Sequence, residues 1–378
     1  MAASTLPQSL PATRVQRGWN FGPGPAMLPD TVVKRAQEAL WCFEDTGMGI
    51  AEISHRSRRF LELALKLETG VRTLLEIPDS HDVLFIPGGA TPHFSLIPLN
   101  LALARGTRRA TYAITGHWSR LAHREARTLI DATIAIDADH DSDTRAIPEL
   151  AHWSIDPEAA FLYYTDNESI NGVEYPAPPA VRTPPLVSDM TANLFSRPVP
   201  IDRFDLIFAG AQKNLGITGL GIVIVRKERL HKAIAGWPSI LSYGDWADSR
   251  SMHNTPPTLN WYFALLMVEW MEEQGGLPAL ATRNARKASI LYQTIDQSGG
   301  FYRNTVSPEC RSRMNVPFEL STPQLTELFL REASQSGLFQ LDGHRSVGGC
   351  RASIYNAMPE AGIQELCVFM NEFRRHAG

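Results

Sequence analysis

The stretch FDLIFAGAQKNLGITGLGIVIVRK (204–227) holds one internal lysine, Lys213, between two apolar runs and close to Gly216, Gly219 and Gly221. Burying an ammonium is costly, and burial shifts a lysine toward its reactive amine form. Such an amine condenses with a carbonyl cofactor to an imine. A lysine that only snorkels from a strand end is the plainer alternative. Upstream, LVSDMT (186–191) ends an apolar run on Asp189. A carboxylate at a strand end can pair with a protonated pyridine nitrogen and hold the ring as an electron sink, or it can simply cap a turn. The run IPGGAT (86–91) follows the apolar VLFI. Its backbone N–H groups at 89–91 and the Thr91 hydroxyl suit a phosphate, although an ordinary strand-to-helix turn has the same composition. Strand-end aspartate followed by strand-end lysine is the pattern of pyridoxal-phosphate enzymes.

The elements that must position these groups show in the hydrophobic periodicity. Short apolar runs over 83–86, 109–114, 160–164, 186–189, 206–209 and 222–225 predict buried strands. Amphipathic stretches over 31–40, 58–75, 118–127 and 262–273 predict helices between and around them. Strands alternating with helices imply an α/β fold with a mostly parallel sheet covered on both faces. After about residue 273 the rhythm becomes α+β. Helices are expected over 277–298, 322–336 and 361–376, and short strands over 300–302, 315–318 and 350–353.

Composition removes several function classes. The 378 residues are 44% hydrophobic and 20% charged, with a net charge of −4, so no broad basic surface for nucleic acid is expected. No apolar run approaches the roughly 18 residues of a membrane span. The four cysteines, Cys42, Cys310, Cys350 and Cys367, form no C-x-x-C, and no histidine pair has zinc-finger spacing, so no metal site is expected. Cysteine usage fits a reducing cytoplasm. Residues 1–17 read as a flexible extension: they lack the apolar core of a secretory signal, and Pro7 and Pro11 oppose a transit helix.

Longer motifs point to a family. NFGPGPAMLP (20–29), EISHRS (52–57), PGGAT (87–91), GHW (116–118), AGAQKN (209–214), HNTPPT (253–258) and GHRSVGGCRASIYNAM (343–358) run through nearly the whole chain. With them the sequence resembles the phosphoserine aminotransferases, class-V enzymes of the fold-type I pyridoxal 5′-phosphate group. The resemblance implies a large cofactor-binding domain over 31–273 around a mostly parallel seven-stranded sheet. It also implies a smaller α+β domain made of 18–30 and 274–378. It implies ping-pong transfer between phosphoserine/3-phosphohydroxypyruvate and glutamate/2-oxoglutarate in serine biosynthesis, with 4-phosphohydroxythreonine of vitamin B6 synthesis as a second substrate.

Residue roles follow from the same resemblance. Lys213 would carry the cofactor and move the proton, and Asp189 would hold the pyridine nitrogen. Trp118 would stack on the ring, although a core or surface tryptophan is the commoner fate. Ser169 stands where the family usually has threonine, near the ring hydroxyl. Ala90, Thr91 and Gln212 would bind the cofactor phosphate, joined by Asn254 and Thr255 from the other subunit of a homodimer. Arg351 would clamp the substrate α-carboxylate. Two His-Arg pairs, His55–Arg56 and His344–Arg345, would bind the substrate's phosphate or distal carboxylate, a fit of fixed and adaptable donors to a small dianion. Some bacterial relatives carry arginine at the Thr91 position, which leaves that anionic end to the two pairs. An alanine- or serine-glyoxylate aminotransferase is the alternative within class V. A cysteine desulfurase would need a mobile cysteine near the site, for which Cys350 beside Arg351 is the candidate. A nicotinamide enzyme is disfavoured because the glycines at 216–221 fall in the wrong order.

Overall fold

The computed structural model describes residues 17–138, 144–230 and 237–378. The expected extension, 1–17, lies outside the described residues except for Arg17, which is ion-paired with Asp30. In chain order the strands are β1 (Trp19–Asn20), β2 (His81–Pro87), β3 (Arg109–Ile114), β4 (Asp131–Asp137), β5 (Leu162–Thr165), β6 (Asn167–Glu168) and β7 (Val173–Glu174). They continue with β8 (Leu186–Asp189), β9 (Leu206–Gly210), β10 (Leu220–Arg226), β11 (Asn315–Phe318), β12 (Leu338–Phe339) and β13 (Cys350–Ser353). The α-helices are α1 (Asp30–Trp41), α2 (Arg58–Leu75), α3 (His93–Ile97), α4 (His117–Ala126), α5 (Tyr243–Asp248), α6 (Thr258–Glu273), α7 (Gly276–Asp296), α8 (Pro323–Gln335) and α9 (Glu360–Ala377).

Seven strands form the central sheet in the order β2-β10-β9-β8-β5-β3-β4. Only β10 runs against its neighbours; the other contacts, β9–β8–β5–β3–β4, are parallel. Side chains alternate between two cores, as the period of a strand requires. Phe85, Tyr164, Ile207 and Ile222 join one cluster with Phe60, Leu67 and Trp261. Leu84, Tyr163, Phe208 and Val223 join the other with Phe94, Ala122 and Tyr243. Helices therefore cover both faces, and the strands between them read as apolar throughout. Helix α2 shows the local logic. Ser57 caps it by accepting the Phe60 N–H, and Phe60, Leu63, Ala64, Leu67, Val71 and Leu75 place one buried stripe on the sheet.

Because β10 is antiparallel, the turn between β9 and β10 emerges at the same sheet edge as the C-terminal ends of β2, β3, β5 and β8. That edge, beyond the carboxyl ends of the parallel strands, is where open α/β sheets bind ligands. The C-terminal elements pack around a separate core that includes Leu291, Tyr302, Phe318, Phe329 and Phe373. Phe21 enters this core, and β1 pairs in parallel with β12.

One expectation needs correction, and one strand of the sheet had no expectation behind it. The strand expected over 300–302 is a turn: Gly299 and Gly300 have left-handed φ of 68° and 87°, and the Ser298 hydroxyl bonds both the N–H and C=O of Tyr302. Only Arg303 beyond it bridges to Glu319. Strand β4 carried no bulky apolar run. Its sequence, DATIAID, begins and ends on aspartate and buries little beyond alanines, so a sheet-edge strand was hidden.

Candidate active site

Asp189 ends β8 and is buried. Its carboxylate accepts the Thr191 N–H at 2.8 Å, and the Thr191 hydroxyl in turn accepts the N–H of Gly210 at the end of β9. Burial pushes the Asp189 carboxyl up, against the Thr191 donors and the positive charge of Lys213. Lys213 follows in the β9–β10 turn. That turn is held by the N–H groups of Leu215 and Gly216 on the Ala211 carbonyl, and by the Asn214 amide on the carbonyls of Ala192 and Leu194.

Ser169, just after β6, is where the site converges. Its hydroxyl oxygen accepts Lys213 Nζ at 3.2 Å and the Trp118 indole Nε1–H at 2.9 Å. Its carbonyl accepts Arg351 Nη1 at 3.1 Å from β13. Burial pushes the Arg351 guanidinium down from its usual value, and its Nε has no partner. The expected lysine, tryptophan, serine and arginine thus meet at one residue.

Lys213, Trp118 and Asp189 face a cavity of about 160 Å³ whose lining also includes Ala90, Thr91 and Gln212; Ser169, Arg351, His344 and Arg345 are not among its lining residues. Gly88 and Gly89 on its rim have φ of 112° and 79°, a turn that side-chain-bearing residues rarely make. The cavity also has unspent acceptors. Gln212 Oε1 and Asn167 Oδ1 are buried without a partner, an arrangement that anticipates a polar ligand. A carbonyl-reactive amine, a strand-end carboxylate, an aromatic wall and loop donors fit pyridoxal phosphate.

His344 stands near this group, its ring 5.5 Å from that of His117, which neighbours Trp118. Burial, then the charges of His117, Arg351 and Arg345, push its pKa down. Arg345 is exposed. His55, Arg56, Asn254 and Thr255 are not among the residues lining the cavity. Arg56 instead lines a separate groove with Leu61, Leu65, Ser251 and Met252. Cys350 is buried, and burial pushes its thiol up, which makes it a poor nucleophile.

Sequence reasoning missed Glu168, Asn167 and Tyr355 as parts of the site. Asn167 Nδ2 donates to Asn315, whose amide donates to Ser353 and to the Tyr355 hydroxyl. That hydroxyl donates to the Pro23 carbonyl at 2.9 Å, and Lys213 Nζ lies 5.9 Å from the Tyr355 ring centroid. The polar run TDNES (165–169) looks like a solvated loop, yet every residue in it is buried.

A sheet edge of this kind, with its lysine, aspartate and aromatic wall, belongs to an aminotransferase. The profile of the class-V aminotransferases matches residues 18–366, and the chain belongs to that family. Among its relatives are the phosphoserine aminotransferases of Laribacter hongkongensis (strain HLHK9), 48% identical over 95% of this chain and 99% of that protein, and of Xanthomonas euvesicatoria pv. vesicatoria (strain 85-10), 48% identical over 96% and 99%. The solved phosphoserine aminotransferase of Bacillus circulans subsp. alkalophilus superposes with a TM-score of 0.91 at 39% identity, covering 96% of this chain and 99% of that one. The pyridoxal-phosphate-bound phosphoserine aminotransferase of Trichomonas vaginalis gives 0.89 at 35% identity, covering 94% and 100%. An alanine–glyoxylate aminotransferase from Nostoc sp. shares the fold at 16% identity and a TM-score of 0.73.

Proposed function

We propose that this class-V aminotransferase exchanges an amino group between O-phosphoserine/3-phosphohydroxypyruvate and glutamate/2-oxoglutarate, using pyridoxal 5′-phosphate. The observation that carries the reading is the convergence of Lys213, Trp118 and Arg351 on Ser169 beside Asp189. When bound, pyridoxal phosphate supplies a delocalised sink for the electrons released at the substrate Cα. Lys213 Nζ would hold the cofactor until an amino acid takes its place, and the freed amine would then take the proton from the substrate Cα and give it back within the same half-reaction, so that it ends the transfer unchanged. Asp189 keeps a proton on the ring nitrogen, and its burial makes that charge pairing strong. Trp118 would lie against the ring, Ser169 would serve its hydroxyl, and Ala90, Thr91 and Gln212 would hold the phosphate. Arg351 binds the α-carboxylate through its fork. His344, Arg345, His55 and Arg56 take the anionic end of phosphoserine or glutamate in turn.

In this reading 31–273 is the cofactor domain, and 18–30 with 274–378 is the smaller one. Asn254 and Thr255, with His55 and Arg56, reach the site across a homodimer interface. Supporting this, Arg56, Met252, Leu61 and Leu65 line one groove of about 860 Å³, with Leu61 47% and Leu65 66% exposed. Apolar surface of this kind marks an interaction site. The four cysteines are free, which fits a cytoplasmic setting; among the described residues no helix is long and apolar enough to cross a membrane. The glyoxylate-directed alternative is not favoured, because small uncharged side chains leave the His-Arg pairs without a partner.

The test is the absorption spectrum of the purified protein before and after O-phosphoserine. A yellow band that collapses on adding phosphoserine supports both cofactor and donor. A yellow band unmoved by phosphoserine but collapsed by alanine transfers the site to the alternative. Initial-rate lines for the two substrates should run parallel, as alternate use of one site requires.

A further inference from the structure

Glu168 is fully buried, yet among the described residues no lysine or arginine pairs with it. Its carboxylate instead accepts three donors from the first turn of α4. Oε2 takes the Trp118 N–H at 2.9 Å, and Oε1 takes the Ser119 N–H at 2.8 Å and the Ser119 hydroxyl at 2.6 Å. The first N–H groups of a helix have no partner within the helix, and a negative charge there is favourable. The residue before this helix, Gly116, has no side chain with which to cap it, so a carboxylate from another element does so.

Gly116 makes this arrangement fit. Its φ of 176° is extended backbone that any residue adopts. The requirement for glycine is steric: a Cβ there would lie 2.6 Å from both Cγ and Cδ of Glu168. The other end of Trp118 is held by the next residue of the same segment, since Ser169 Oγ accepts its indole N–H. Residues 168 and 169 therefore grip the tryptophan by its main-chain amide and by its ring. The segment is itself fixed by pairing of β6 with β7, by the Gly172 N–H on the Glu168 carbonyl at 2.8 Å, and by Arg351 on the Ser169 carbonyl.

We propose that Glu168, seated in the space left by Gly116, is a positioning residue that sets the Trp118 ring against the cofactor cavity. The inference rests on the reading of Trp118 as the wall beside pyridoxal phosphate. Burial pushes the Glu168 carboxyl up to about 7, so the acid is costly to keep where packing alone could use a neutral side chain.

The test uses the holoenzyme with Glu168→Gln, which keeps the size but turns an NH₂ toward a backbone N–H. The visible circular dichroism of bound pyridoxal phosphate is expected to fall by about half or more as the ring loses its fixed neighbour, with kcat down about tenfold and KM for phosphoserine within about twofold. Gly116→Ala, which pushes the carboxylate away without removing it, is expected to reproduce the same split, and it decides the matter if Glu168→Gln does not fold. A folded variant of either kind with wild-type dichroism and kcat overturns the proposal. A wild-type protein that shows no cofactor band overturns the cofactor reading instead.

Discussion

Lys213 and Lys287 both meet Tyr355, and they are wired in opposite ways. Lys287, on α7, is 3% exposed and spends its three protons on the carbonyls of Ile354, Tyr355 and Met358 at 2.8–3.0 Å. Lys213 is half-buried, makes one bond to a serine hydroxyl, lies by the Tyr355 ring and lines a cavity. An ammonium saturated with carbonyls is a rivet, because its amine has nowhere to go. An ammonium with spare capacity facing open volume is free to exchange its partner for a substrate. Burial alone therefore ranks the two lysines in the wrong order for chemistry, and the ranking reverses once hydrogen bonds are counted.

Several substitutions break or sharpen this contrast. The largest effect is expected of Lys213→Ala: kcat falls by about 10⁴-fold or more, while stability changes by only about 1 kcal/mol, the net worth of one hydrogen bond. Steady-state kinetics and a denaturant titration on the same preparation check both halves. Lys287→Met should do the reverse. It strands three buried carbonyls and lowers unfolding stability by about 3 kcal/mol or more, with kcat of the folded holoenzyme within about threefold. A Lys287→Met enzyme with normal stability and no turnover would sink the contrast.

Tyr355 separates the two roles at one position. Tyr355→Phe removes the hydroxyl bonds to Asn315 and Pro23 and should cost about 1 kcal/mol of stability with kcat little changed. Tyr355→Ala also removes the ring beside Lys213 and should lower kcat about tenfold. Equal kcat in the two variants would mean that the ring does nothing for the lysine.

The last contrast is in pH. Burial pushes the Lys287 amine from 10.5 down to about 7. Between those values burial favours release in the fold of a proton that the unfolded chain keeps, at the expense of one of the three carbonyl bonds, so this group's contribution to stability rises with pH across the window and is lost as pH falls toward 7. The midpoint difference between wild type and Lys287→Met should widen from pH 7 to pH 10. A constant difference would show that the three carbonyls hold the proton in the fold.

The parts of this molecule that were readable in sequence are those where a polar group ends an apolar run. Asp189, Lys213 and the Gly88–Gly89 turn fall there, and the structure puts all three on one cavity. The strands that carry them were readable because burial on both faces leaves continuous apolar runs, whereas β4 at the sheet edge was not. Ser169 came only with the family resemblance. Glu168 sits in a polar run whose burial depends on helix α4, 50 residues away, and no local pattern encodes a cap supplied from that distance. The family motifs mark Gly116 as important, but its reason, the seat of a carboxylate, is visible only in three dimensions. The residues around 55 and 254 show the opposite limit: their roles came with the family resemblance alone, and they do not line this chain's cavity.

The bond from Tyr355 to the Pro23 carbonyl spans 332 residues, and the Ala26 N–H rests on the Gln212 carbonyl beside Lys213. Segments far apart in the chain thus contribute to one small volume. During translation, domains fold from the N-terminus as they emerge, so the sheet carrying Lys213 and Asp189 leaves the ribosome well before Arg351 and Tyr355 do. Over that interval the nascent chain has Lys213 and Asp189 but lacks Arg351, which bonds the Ser169 carbonyl, and Tyr355, whose ring lies by Lys213. A chain cut short before residue 351 would carry Lys213 and Ser169 without the arginine and the tyrosine that meet them in the fold.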